Sequence, residues 1–133
     1  MPKRSFAKLL PSIVILGALS TLPTSAWADA NSETVTAATH AQLAAGASDI
    51  NTVHSHLHHA LNCLVGPGGN GFDTKELNPC AQSGKGAIPD TADAAKKKSL
   101  EVAADQARTG IAIADLKAAQ KAATEMAAML KGK

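Results

Sequence analysis

An all-α fold is predicted, and three observations carry the prediction. The chain beyond residue 28 is alanine-rich, it lacks strand-like runs, and its apolar residues recur at steps of three and four. Alanine loses least on entering a helix, and that spacing gathers apolar side chains on one helical stripe. The architecture expected is a two-helix antiparallel hairpin over residues 29–133, its helices joined by a long connector.

Residues 1–28 read as a secretory signal. Lys3, Arg4 and Lys8 make a basic start, Leu9 to Leu22 an apolar stretch, and Ala26-Trp27-Ala28 a cleavage motif with small residues at its two key positions. The apolar stretch falls short of the roughly 20 residues that span a bilayer as a helix. An exported chain without a membrane span is therefore expected, periplasmic or secreted, cut after Ala28.

In the mature chain Leu43, Gly46, Ile50, Val53, Leu57, Ala60 and Leu64 follow one stripe, which predicts a first helix over about residues 32–64. Asn31 or Ser32 is its expected cap, with Glu33 in the first turn, and Gly66-Pro67-Gly68-Gly69 ends it. Residues 65–89 hold Pro67, Pro79 and Pro89 and most of the mature chain's glycine, the composition of a connector. Cys63 and Cys80 are the only cysteines, and an even count in an exported chain predicts a disulfide that staples this connector to the first helix.

A second helix is expected over about residues 90–130, capped by Asp90 or Thr91. Its pattern carries two opposed stripes, one through Val102, Ile113, Leu116, Ala123, Ala127 and Leu130, the other through Leu100, Ala103, Ala107, Ile111, Ala122 and Met129. One partner helix cannot cover both. Either the milder stripe stays solvated, or two hairpins pair as a homodimer into a four-helix bundle, the arrangement expected because a lone hairpin has little core.

Composition removes several function classes. Without the signal the chain has ten basic and eleven acidic residues, a net charge of 10 − 11 = −1, so nucleic-acid binding is not expected. Phe72 is then the only aromatic residue besides histidine, which leaves no stacking platform for bases or sugars. No nucleophile, base and acid stand together in a recognisable context, and the glycine-dense stretch Gly66 to Asp73 lacks the Gly-Lys-Ser/Thr ending of a phosphate loop. An enzyme is not expected.

The chemistry is concentrated in His54-Ser55-His56-Leu57-His58-His59. Neutral imidazole is a common ligand for copper, nickel and zinc, and several close together can replace a metal's water shell. On a continuous helix His54 and His58 share one flank, with His40 on that flank about 20 Å toward the N-terminus, while His56, His59 and Cys63 share the other. A transition metal held by some of His54, His56, His58 and His59 is predicted, with further ligands from the second helix, the connector or another subunit. The competing readings are that the imidazoles pack structurally against the disulfide or merely decorate the surface.

With its signal, its alanine-rich helices and this cluster, the chain resembles the small, exported, histidine-rich helical metal-binding proteins of the bacterial periplasm. That resemblance implies binding or buffering of copper, nickel or zinc. The alternative is a helical module whose stripe through Leu100 and Ile111 docks a protein partner, with the histidines tuning that contact.

Overall fold

The computed structural model describes residues 29–132; the expected signal, residues 1–28, lies outside the described residues. Every regular element described is a helix: α1 (Ala30–Gly46), α2 (Ile50–Val65), α3 (Ala87–Asp90), α4 (Ala94–Ala112) and α5 (Leu116–Leu130). Each of the two long helices expected from the sequence is thus two helices with a three-residue turn between them. The hairpin becomes a bundle of four helices formed within one chain. Around it α1 touches α2 and α5, α4 touches α5 and α2, and α1 and α4 do not meet.

Aspartate makes both breaks. Asp49 caps α2, its Oδ1 accepting from the Thr52 N–H at 2.9 Å while Thr52 Oγ1 donates to Oδ2 at 2.6 Å. Asp115 caps α5, accepting from the Ala118 N–H at 2.8 Å. A side-chain oxygen that satisfies an orphan N–H of a new helix makes a fresh start cheaper than continuation. The outer caps shift as well. Asp29, not Asn31 or Ser32, caps α1, and Asp93, not Asp90 or Thr91, caps α4.

The breaks also explain the two stripes. A turn resets helical phase, so the buried face need not continue from one helix to the next. On α4 the core face is Leu100, Ala103, Ala104 and Ala107; on α5 it is Ala119, Ala123, Met126, Ala127 and Leu130. Val102 is 48% exposed and Leu100 wholly buried, so the two expected stripes exchange roles at Ile113. Likewise Leu43 is 48% exposed, and α1 packs through Ala37, Ala38, Ala41 and Ala44. Each long helix buries one stripe against the others inside one chain, so the chain has a core of its own and the argument that a lone hairpin lacks one no longer applies.

The two halves repeat. Asp49 and Asp115 stand 66 positions apart (115 − 49 = 66), and the same step relates buried Ala37 to Ala103, Ala41 to Ala107, Val53 to Ala119, Leu57 to Ala123 and Leu64 to Leu130. It also relates the side chains that lock the halves together. His54 Nε2 donates to the carbonyl of Ile113 at 2.8 Å, and Gln120, 66 positions on, donates to the carbonyl of Ala47 at 2.7 Å. Each half thereby satisfies the orphan C-terminal carbonyl at the other's turn.

The halves differ in their cover. Residues 66–93 fold back over the first, fixed by the Cys63–Cys80 disulfide. Buried Asn62 donates to the carbonyls of Asp73 (3.0 Å) and Leu77 (3.1 Å) and accepts from the Asp73 N–H (2.9 Å). Where the connector's ends cross, Gly66 has φ +66°, and a Cβ there would stand 1.6 Å from the carbonyl oxygen of Lys85. Only glycine allows that approach. On the second half the matching surface, around Val102, Ala128 and Met129, is left as an open groove of about 360 Å³.

Candidate metal centre

Folding α1 back on α2 about Ser48 sets position 40 beside position 56. His40 Nδ1 and His56 Nδ1 stand 3.2 Å apart. His59, one turn beyond His56, closes a triangle, its ring edge-on to both others with centroids 5.2 Å from His40 and 5.6 Å from His56. One nitrogen from each of His40, His56 and His59 lies within 4.8 Å of the other two, and all three residues are half-buried. These three histidines can hold a metal ion.

Their chemistry favours it. Burial, reinforced by the neighbouring imidazoles, holds His40 and His56 below the usual histidine range, so both are neutral at pH 7 and present lone pairs. Tetrahedral zinc with metal–nitrogen bonds of about 2.0–2.1 Å sets ligand nitrogens ~3.3 Å apart. The His40–His56 separation already has that length. His59 Nδ1 is buried with no hydrogen-bond partner among the described residues, whereas its Nε2 stands 3.3 Å from Glu76 Oε2. A buried nitrogen without a partner is costly, and a metal ion could supply the missing contact, although His58 Nδ1 outside the cluster is left without a partner as well.

The candidate ligands read from the sequence part company here. His56 and His59 enter the cluster. His54 does not: its Nε2 carries a proton to the Ile113 carbonyl, an oxygen that can only accept. His58 also stands apart, with Nδ1 3.8 Å from Asp73 Oδ2 under the connector. Cys63, on the flank of His56 and His59, is committed to the disulfide. The residue missed was His40. Placing it needed the turn at Gly46-Ala47-Ser48-Asp49, whose signal is a glycine followed by an aspartate cap three residues before Thr52.

The internal repeat sharpens the contrast. Stepping 66 residues from His40, His56 and His59 reaches Gln106, Ala122 and Glu125, and Gln106 Nε2 donates to Glu125 Oε2 at 2.7 Å. One half thus joins its helices at this level by an ordinary amide–carboxylate bond, and the other by three imidazoles. Among the described residues no helix is long and apolar enough to cross a membrane. Fold and site define a disulfide-stapled four-helix bundle with a three-histidine cluster; the chain matches no family model, no curated protein and no solved structure.

Proposed function

We propose that this chain binds a transition metal, copper, nickel or zinc, through His40, His56 and His59, and buffers or carries it in the periplasm. The observation that carries the reading is the meeting of three half-buried imidazoles from two helices, one nitrogen of each within 4.8 Å of the other two. A neutral all-nitrogen set suits these borderline metals and not calcium or magnesium, which take oxygen. Three ligands leave a coordination position free, and a half-buried site lets an ion enter and leave. Such a site suits carriage better than structural support, since the bundle has an apolar core of its own. The disulfide and the signal-like first 28 residues support an exported setting.

The interaction-module reading loses its main support, because Leu100 is wholly buried and a charge there would unfold α4 rather than disturb a partner. The proposed function is tested by measuring, by mass spectrometry, the metal in protein taken from its native compartment without an affinity tag or chelator. About one copper, nickel or zinc ion per chain is expected in the wild type and none after His40, His56 and His59 are all changed to alanine. An empty wild-type protein would contradict the proposal.

A further inference from the structure

Glu76 sits on the connector, outside the three-histidine group, yet its Oε2 is 3.3 Å from His59 Nε2. Its other oxygen lies 3.5 Å from the Ser55 hydroxyl, one turn before His59 on α2. The backbone on either side is pinned: Asn62, fully buried, bonds to Asp73 and Leu77, and Cys80 is tied to Cys63. The connector thus delivers one carboxylate to the outer edge of one imidazole.

We propose that Glu76 is the positioning residue of the histidine site. With Oε2 3.3 Å from His59 Nε2, it favours the proton on that nitrogen, and so the tautomer whose Nδ1 carries the lone pair and is left for the metal. The inference rests on the metal reading and goes beyond it, since Glu76 is not one of the three clustered residues. A carboxylate on the far nitrogen of a ligating histidine fixes its orientation and raises its basicity, and losing it costs about 10–100-fold in metal affinity. Asp73 provides an internal comparison. It lies on the same connector beside His58, 3.8 Å away, and His58 is not in the cluster.

The test titrates zinc(II) against a chromophoric chelator in the mature chain with its disulfide intact, for the wild type, Glu76→Ala, Glu76→Gln and Asp73→Ala. In parallel, nitrogen-15 spectra of the metal-free proteins report the His59 tautomer. Glu76→Ala is expected to keep the stoichiometry, to weaken zinc binding about 10–100-fold, and to move His59 from the Nε2–H form toward a mixture. Glu76→Gln, whose amide oxygen can still accept from Nε2, recovers most of both, and Asp73→Ala stays within about twofold of wild type. The inference is overturned if Glu76→Ala binds zinc as tightly as wild type with an unchanged His59 tautomer, or if Asp73→Ala weakens binding equally, which would mean general loosening of the connector. Wild-type protein that binds no zinc, nickel or copper would instead overturn the metal reading, and this inference with it.

Discussion

Raising the pH from 4.5 to 7 is expected to cost the metal-free protein up to about 3 kcal/mol of stability through Glu33 alone. Glu33 lies in the first turn of α1 with no exposed surface. Its Oε1 accepts from the Gly86 N–H at 2.9 Å, while Oε2 is buried without a partner. Burial raises its pKa from 4.5 to about 7, the Gly86 bond opposes that, and the carboxylates of Asp90 and Asp29 add to it. Between those two values the folded chain holds a proton that the unfolded chain has released. Stability from this residue is therefore complete below pH 4.5, declines as pH rises, and is lost above about pH 7. Glu33→Gln keeps an oxygen for the Gly86 N–H and has no charge to bury. Urea unfolding of both proteins across this range should show their stabilities diverging as pH rises, the variant ahead at pH 8. Parallel curves would contradict the account. The histidines are common to both proteins, so the difference between the curves reports Glu33 and the carboxylates of Asp90 and Asp29 that it faces.

Removing the disulfide is expected to be comparably expensive. Cys63 and Cys80 are both buried and close a loop with a sequence separation of 17. On the chain-entropy estimate such a closure contributes about 3 kcal/mol. Beyond the staple the connector is held mainly by polar contacts: Asn62 pins its middle, Arg108 donates to the Asn70 carbonyl at 2.7 Å and the Gly86 N–H to Glu33 at 2.9 Å, while Phe72 is only half-buried. The double substitution Cys63→Ala with Cys80→Ala should lower the unfolding free energy by about that amount while leaving helical circular dichroism at 25 °C close to wild type, because most of the core lies on the four long helices. A loss below about 1 kcal/mol would show that the connector folds without its staple.

What the sequence made legible follows from what each signal encodes. Alanine content and apolar spacing encode helix, and the helices are present. The cysteine count encodes a pairing, and it forms. Spacing says nothing, however, about whether a helix continues through a weak point. Gly46-Ala47-Ser48-Asp49 and Ile113-Ala114-Asp115 contain no proline, and apolar residues on either side, Ala45 and Ile50 or Ala112 and Leu116, kept the pattern superficially continuous. The cost of that reading was twofold. One broken helix, taken as continuous, showed two stripes and suggested a second subunit, and His40 was set about 24 Å from His56 and about 28 Å from His59, on the opposite flank. The aspartates were the missing signal, since all four long helices begin with one. The repeat was hidden for a related reason. Its conserved content is the size and burial of small side chains, such as Ala37 with Ala103 or Ala41 with Ala107, which an alanine-rich sequence cannot distinguish from background.

The site was half legible. Density of histidine pointed to the right segment of α2, and the helical period put His56 and His59 on one flank. It could not show that this flank faces α1 while the flank of His54 and His58 meets the Ile113 turn and the connector, because that depends on which helix packs where.

The most direct test of the account is therefore a zinc(II) titration of the metal-free protein beside two single variants, His40→Ala and His58→Ala. The structure predicts about one tight site in the wild type, a loss of about 100-fold or more in affinity for His40→Ala, and wild-type binding for His58→Ala. Loss of binding in His58→Ala with retention in His40→Ala would contradict it and return the site to the flank of His54 and His58, one of the two that the sequence alone offers.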